Sequence, residues 1–378
     1  MKRIDSSRLK HQLRAGLKRH YRTIRPKGLN AVLARKKKRR GKGKLYQAPI
    51  EAPAKLDIYS SQNHRAFVSF IELFRQTAQS KGRVFISFKS TYRITAAAGL
   101  LLVAETDRII KAYPNISIKC SFPPSQSEGR YRNAQNMVES ALKQIGFFKL
   151  INQHSPKLTN QATVKRWRQL SGITTDGSLA ASLLDSLKGV VSKSVQRKMY
   201  RGAIEAIANC VEHAYPQLRN DGLKIKDDRW WMLVGIDDER ISVIVCDLGV
   251  GIPETLPKKH PQSLLTSIAS TFGIIDQSDG ELIRASTYIK RTRTALSHRG
   301  KGGQDFRSIV DVFPSAQLSI RSNQGAFTLT GDRCKRARKD RSRRFVDGTN
   351  HKESVSNFRD SIRGTLIEWV LSAEDFAK

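Results

Sequence analysis

Acidic residues are scarce in this chain of 378 residues: 33 Asp and Glu stand against 68 Lys and Arg, so the formal net charge is +35. A charge of this size favours polyanions, either nucleic acid or an anionic membrane surface. Residues 1–45 alone hold 18 Lys and Arg and one acidic residue. We predict a basic, disordered tail over 1–45. A nucleic-acid-binding or ribosome-binding arm and an organelle transit peptide are the alternatives.

Cysteine is scarce as well. The four cysteines, at positions 120, 210, 246 and 334, lie far apart without C-x-x-C spacing, which excludes a zinc or dithiol site of that kind. Reduced thiols in a cytosolic protein are the expectation, and with them a cytoplasmic location. The longest apolar stretch, 96–104, is too short to span a bilayer, so no transmembrane segment is expected. No hydrophobic secretory signal is recognisable either.

The hydrophobic content of 39% is enough for folded cores and excludes global disorder. Residues 46–155 alternate strand and helix patterns, which predicts a small α/β domain. Residues 156–378 begin as a polar linker and continue as a second domain, so the predicted fold class is α+β. The elements expected in the two domains are strands at 84–88 and 116–120, helices at 96–112 and 137–147, a helix at 195–215, strands at 230–236 and 241–247, a long irregular stretch to 299, a helix at 304–313, and strands at 317–321, 326–331 and 364–371.

One predicted helix carries three polar side chains on a single face. Glu205, Asn209 and His213 follow one another at intervals of four residues, which places a carboxylate, an amide and an imidazole one turn apart. An amide oxygen suits magnesium, a hard cation that takes oxygen ligands and keeps several waters. A carboxylate one turn back can act as a general base, and the imidazole is a candidate phosphate contact. An ordinary polar helix face is the alternative.

Two glycine clusters accompany this helix. Asp247-Leu-Gly249-Val-Gly251 directly follows a β-branched run, and glycines there allow positive φ and close backbone approach. The cluster from Arg299 to Gly303, with Gly300, Lys301 and Gly302 between them, precedes a predicted helix, whose N-terminus offers free N–H groups to phosphate. A plain turn is the alternative in both places. No Gly-x-x-x-x-Gly-Lys-Ser/Thr motif occurs, so a P-loop fold is not supported.

The domain from about residue 156 resembles the GHKL ATPases, the superfamily of DNA gyrase, the heat-shock chaperone, histidine kinases and mismatch-repair ATPases. The match is closest to the anti-sigma-factor serine kinases, whose signature helix reads Glu-Ala-x-x-Asn-Ala-x-x-His-Ala/Gly-Tyr. The resemblance implies ATP and Mg²⁺ as cofactors. It also implies a two-layer α/β sandwich with a mixed sheet and helices on one face. A basic insertion at 332–363 departs from a minimal domain, and the second glycine cluster lacks the family's Leu-Gly pair.

The resemblance also assigns roles. Glu205 matches the family's catalytic base, and Asn209 its magnesium ligand. Asp247 is expected to accept a hydrogen bond from the exocyclic amine of adenine, which selects adenine over guanine. Thr365, at the start of the last predicted strand, is expected to contact the adenine or a water that bridges it to Asp247. The second glycine cluster is expected to bind phosphate.

Residues 46–155 look like the STAS-like domains, small α/β modules that often mediate regulatory contacts. That family's phosphoacceptor motif, Asp-Ser-Ser-Gly, is matched here by Ala96-Ala-Ala-Gly99, in which no hydroxyl is present. The resemblance therefore implies a scaffold or docking module and not a phosphorylation switch.

Two functions follow from the sequence. The first is an ATP- and Mg²⁺-binding regulatory protein of GHKL type, with ATPase or serine-protein-kinase activity or an anti-sigma-like switch, acting on a partner protein. The alternative is a basic, nucleic-acid-associated protein whose ATP-binding domain is a switch or vestigial. Its contacts would come from the basic segments 1–45 and 333–344, and because they would be made to phosphates they would be largely independent of sequence.

Overall fold

The computed structural model describes residues 48–121, 132–154, 166–237, 240–273, 276–289, 302–334, 344–345 and 351–372. The predicted tail therefore lies outside the described residues. From Pro49 on, the chain belongs to one compact unit. None of the helices in the described ranges has the length and the hydropathy that a bilayer span requires.

The N-terminal part of this unit is a small α/β arrangement, as the alternating patterns predict. Strands β1, β3 and β5 form a parallel three-stranded sheet, and β2 pairs with β4. Thr95 caps the second helix, since its side chain accepts a hydrogen bond from the N–H of Ala98. Its elements are β1 (Ile50–Glu51), β2 (Lys55–Leu56), α1 (Ser61–Lys81), β3 (Arg83–Ser87), β4 (Arg93–Ile94), α2 (Ala96–Ala112), β5 (Ser117–Ser121), α3 (Arg132–Gln144) and α4 (Phe147–Leu150).

The rest of the unit is built on an eight-stranded sheet in the order β11-β12-β10-β9-β13-β8-β7-β6. Every pairing in it is antiparallel, so the prediction of a mixed sheet is wrong. Its elements are β6 (Arg166–Gly172), α5 (Gly177–Leu184), a 3₁₀ turn (Asp185–Leu187), α6 (Lys193–His213), β7 (Trp230–Ile236), β8 (Arg240–Asp247), α7 (Ile252–Lys259), α8 (Gln262–Phe272), α9 (Asp279–Ser286), α10 (Gly302–Val312), β9 (Gln317–Ser322), β10 (Gly325–Thr330), β11 (Arg344–Phe345), β12 (Lys352–Asn357) and β13 (Thr365–Ser372).

Helices cover both faces of this sheet. Alternate side chains of β8, such as Val243 and Val245, pack with α5, α6 and α10. The intervening side chains Ile244 and Cys246 share a core with the N-terminal part, where α2 lies against β7 and β8. The helices α5, α6, α9 and α10 thus lie on one face, as predicted for this domain, and the N-terminal part covers the other face. All seven residues of β7 are buried, and a strand covered on both sides has no polar face.

Buried charges join the N-terminal helices to the loop that follows α6, and we call them the junction cluster. The cluster comprises Arg75, Glu105 and Arg108 from α1 and α2, and Arg219 and Asp221 from the loop, each at most 5% exposed at its side chain. Arg219 lies 2.9 Å from Glu105 and 2.6 Å from Asp221, and Arg108 also pairs with Asp221. Burial opposes ionisation of Asp221, but Arg219 and Arg108 lower its pKa to about 2.

The predicted boundary between 155 and 156 falls at a segment, 155–165, outside the described residues, so the division into domains at 46–155 and 156–378 stays a prediction. The stretch from 254 to 299 was expected to be irregular, but its described part contains α7, α8 and α9. These helices are at most 11 residues long, and α7 contains Pro257, so no extended helical period marks them. Within the predicted insertion 332–363, β12 pairs with β10 and extends the sheet.

Candidate functional site

A cavity of about 140 Å³ lies between α6, the end of β8 and the helices α7 to α10. Five of the predicted functional side chains line it, and Gly251 lines it too. They come from three elements far apart in the chain: Glu205, Asn209 and His213 from α6, Asp247 from β8, and Thr365 from β13. Tertiary structure therefore brings together what the sequence spreads over about 160 positions.

Helix α6 presents its three polar residues to the cavity because its other face is apolar and packed. Ser192 caps its start by accepting a hydrogen bond from the N–H of Val195. Met199, Ala203 and Ile207 are buried in the core under the sheet. Gly202 faces Trp369 so closely that an added Cβ would lie 3.1 Å from the indole. These contacts fix the rotation of the helix about its axis.

Asp247 is the buried acid of the cavity, with only 5% of its surface exposed. One carboxylate oxygen, Oδ1, accepts hydrogen bonds from the N–H groups of Gly249 and Thr365, at 2.9 and 3.3 Å. The other, Oδ2, accepts from the thiol of Cys210 at 3.6 Å. Burial raises the pKa of Asp247 to about 6, although these donors pull it back towards its usual range. A thiol is a weak donor, so Oδ2 retains capacity to accept a stronger hydrogen bond.

The two glycines after Asp247 have different structural roles. Gly251 has φ +88°, the positive φ predicted for a glycine here, and it lines the cavity. Gly249 lies outside the lining residues. A Cβ at this position would lie 2.1 Å from the carbonyl oxygen of Ala214 at the end of α6, which accepts a hydrogen bond from the N–H of Val250. Gly249 thus docks the loop against the helix and orients Asp247.

Tyr215, which ends the signature motif, was not assigned a role from sequence. Its hydroxyl accepts a hydrogen bond from the N–H of Leu248 at 3.0 Å and donates one to the carbonyl of Arg229. The residue therefore ties the end of α6 to the loop that holds Asp247. The sequence signal that could have indicated this role is the position of Tyr215 at the end of the motif.

The helices beyond the loop add residues that sequence reasoning did not assign to the site. Lys259, the last residue of α7, and His260, which follows it, line the cavity. The apolar and hydroxyl residues there are Ile252, Thr255, Leu256, Ser286, Ile289 and Phe306. The run Lys258-Lys259-His260 was a sequence signal for a positively charged wall.

A buried carboxylate holds these helices to the sheet. Glu353 on β12 pairs with Arg284 of α9 and Arg307 of α10, each at 2.7 Å, and accepts a hydrogen bond from Tyr288 at 2.6 Å. Burial would raise the pKa of Glu353, but the two guanidinium groups and the tyrosine lower it. The predicted insertion thus supplies a residue that supports the wall of the cavity.

The second glycine cluster is described only in part. Gly302 and Gly303 begin α10, as expected of a helix that opens after glycines, and Phe306 one turn further lines the cavity. Arg299, Gly300 and Lys301 lie outside the described residues, as do 1–45 and 335–343, so the predictions of phosphate and nucleic-acid contacts there stay predictions.

The oxygen donors in the cavity fit the requirements of magnesium better than those of a softer metal. In the described residues there is no group of three or more His, Cys, Asp and Glu that could hold a metal ion. The amide of Asn209 and the carboxylate of Glu205 offer hard oxygen ligands one helical turn apart, and Mg²⁺ completes its coordination with waters and phosphate oxygens. A scan against protein-family models finds no match to the chain, and a search of curated proteins finds none either.

Proposed function

We propose that this protein binds ATP with Mg²⁺ in the cavity beside α6 and acts as a nucleotide-dependent regulator of a partner protein, in the manner of the GHKL serine kinases that it resembles. One observation carries the proposal. Side chains that the motifs predict separately, on α6, β8 and β13, line a single cavity. A chance polar helix face gives no reason for Asp247 and Thr365 to line the same space.

Adenine recognition is assigned to Asp247. Its Oδ1 accepts from two backbone N–H groups, and its Oδ2 accepts from the thiol of Cys210, a weak donor. An amine donor on the ligand would give this carboxylate a stronger partner on the Oδ2 side. Guanine carries a carbonyl where adenine carries this amine, and two acceptors facing each other repel. Adenine is therefore the base that the buried carboxylate selects.

The phosphates are assigned to the other end of the cavity. Asn209 would hold Mg²⁺ through its amide oxygen, and the metal, when bound, offsets negative charge on the phosphates. Glu205, one turn before it, would take a proton from an attacking water or a partner's hydroxyl. His213 and Lys259 line the same cavity and add groups that bind phosphate oxygens. The family's Leu-Gly pair is absent from the second glycine cluster.

The N-terminal part is proposed as a STAS-like scaffold that couples the nucleotide cavity to regulation. It covers the face of the sheet opposite α6. The junction cluster joins it to the loop that runs from α6 to β7. The capped start of α2, where the related modules carry a phosphorylated serine, holds Ala96 and Ala97 instead. The signal would therefore pass through packing and ion pairs, without phosphorylation of this helix.

The test is a titration of the full chain with a fluorescent ATP analogue, with and without Mg²⁺. Asn209→Ala is expected to abolish the effect of Mg²⁺, and Asp247→Asn to weaken binding in both conditions. The matched control is Asn220→Ala, at an exposed asparagine of the loop after α6, which should bind like the wild type. Absence of binding by the wild type, or equal binding by all three variants, would refute the proposal.

A further inference from the structure

The N-terminal half of α6 exposes a row of positive charges. Lys193, Arg197 and Arg201 are exposed and recur every four residues, and Lys198 is half-buried beside them. Within the described residues, none of the four forms a salt bridge with an acidic side chain. We call these four residues the α6 basic face. It extends from Lys193 to Arg201, nine residues, and its ends lie about 12 Å apart along the helix.

The positive charges of the α6 basic face destabilise the helix that carries them. A helix N-terminus bears a partial positive charge and favours acidic residues in its first turn. Helix α6 has no acidic residue there, and Lys193 is its first residue. Like charges four residues apart also repel each other. The stability of the helix therefore gives no electrostatic reason for the α6 basic face.

The row leads to the nucleotide cavity. Arg201 lies one helical turn before Glu205, and Glu205 lines the cavity. A ligand held along the α6 basic face would therefore end beside the place where we assign the phosphates. This position gives the charges a function that a solvated surface far from the cavity would lack.

A groove of about 310 Å³ accompanies the row, between α5 and α6. Lys193 and Arg197 line it together with the apolar atoms of Leu184 and Tyr200. Its one acidic residue, Asp185, is already paired with Lys188 at 2.9 Å. The groove therefore offers positive charge and an apolar surface side by side. A polypeptide with acidic and apolar side chains complements both, whereas a phosphodiester backbone complements only the charge.

We propose that the α6 basic face and this groove dock an acidic segment of the partner protein, with its end beside Glu205. The inference rests on the proposed function, because it names the chemistry of the partner for the same cavity. Four extended residues span the length of the row, so a short segment with three or four carboxylates is enough to engage it.

The test uses a poly-L-glutamate peptide of 15 residues as the probe and a zero-length carbodiimide reagent, which joins carboxylates to lysines in contact with them. The full chain is cross-linked, and the modified lysines are identified by mass spectrometry. Arg197→Gln/Arg201→Gln removes two charges but keeps Lys193 and Lys198 as reporters. Arg83→Gln/Arg359→Gln, at two exposed arginines elsewhere, is the control with the same change in charge.

We expect cross-links at Lys193 and Lys198 that fall about fivefold in the α6 double variant, the scale for two partly exposed charge contacts, and stay unchanged in the control. Cross-links confined to 1–45, or an equal loss in both variants, would overturn the docking site. So would oligothymidylate of equal charge that displaces the peptide from these lysines at a lower concentration, since the surface would then prefer nucleic acid. The ATP-analogue titration on the same samples is independent: if it fails while the cross-links persist, the proposed function fails and the docking surface stands.

Discussion

The affinity for adenine should depend on pH through Asp247. The carboxylate must be ionised to accept a hydrogen bond from the base at full strength, and burial raises its pKa to about 6. Below that pH the carboxyl carries a proton and no longer acts as an anionic acceptor. Adenosine is the informative ligand, because it lacks phosphates and so does not engage His213 or Lys259 in the way that ATP would.

The size of the effect follows from the pKa. At pH 7.5 nearly all of the Asp247 population is ionised, and at pH 5, one unit below a pKa of about 6, about one molecule in eleven is. If the ionised form alone binds adenosine, the affinity falls about tenfold between the two pH values, or about 1.4 kcal/mol. With an adenine nucleotide as the ligand, imidazoles that gain a proton at low pH would attract its phosphates. This attraction would oppose the loss of affinity that protonation of Asp247 causes.

The assay is isothermal calorimetry of adenosine at several pH values, with Asp247→Asn as the matched variant. The wild type should lose affinity as the pH falls through 6, and the variant should bind weakly without this dependence. Inosine, which lacks the amine, is the control ligand and should bind weakly throughout. A flat profile in the wild type, or the same slope in Asp247→Asn, would refute the role of this carboxylate.

The same pKa has a consequence for stability. An acid whose folded pKa lies above its unfolded value destabilises the folded state once it ionises. The shift from 3.8 to about 6 corresponds to about 3 kcal/mol, present above pH 6 and absent below pH 3.8. We therefore expect Asp247→Asn to withstand more urea than the wild type at pH 7.5, with a difference that disappears as the pH falls towards 4.

Two further substitutions test the supports of the cavity. Asp221→Ala leaves three buried guanidinium groups with one carboxylate and should lower the free energy of unfolding in urea by about 3–5 kcal/mol. The control is Asp185→Ala, which removes the exposed ion pair with Lys188 and should cost less than about 1 kcal/mol. Equal losses in the two variants would contradict a special role for the junction cluster. Gly249→Ala places a Cβ 2.1 Å from the carbonyl oxygen of Ala214, so it should lower the free energy of unfolding by about 1–3 kcal/mol and weaken nucleotide binding. The control Gly235→Ala, whose Cβ meets only an ordinary contact at 3.4 Å, should change both quantities little. If Gly249→Ala unfolds in urea and binds the ATP analogue like the wild type, the role of Gly249 in docking this loop is wrong.

Local patterns were sufficient for most elements near the site. The helix expected at 195–215 is α6, Lys193–His213, and the strands expected at 230–236 and 241–247 are β7 and β8 within one residue. Each is long for its type and strongly patterned, so propensity and burial favour the same structure. The same holds for the face of α6 that carries Glu205 and Asn209, because a spacing of four residues decides which side chains share a face.

Other features carried weak local signals. Strand β6, Arg166–Gly172, lies in a stretch that was expected to be a linker, and its exposed and half-buried residues leave little apolar alternation to detect. Helix α1 contains buried Arg75 and His64, whose polarity hides the period of the helix. Arg75 pairs with Glu105 and Asp221, which lie 30 and 146 positions further along the chain. No local sequence pattern can predict contacts between residues so far apart.

The sequence by itself determined that a basic chain carries a carboxylate, an amide and an imidazole on one helical face, followed by an Asp-x-Gly-x-Gly loop. These are local properties, because helix and strand periods and the freedom of glycine act over a few residues. Only the tertiary structure decided that Asp247 and Thr365 line the same cavity as that face, that burial raises the pKa of Asp247, and that the N-terminal part covers the back of the sheet. Those outcomes depend on which surfaces exclude water together, which is settled by packing between distant segments and by the electrostatics of the space they enclose.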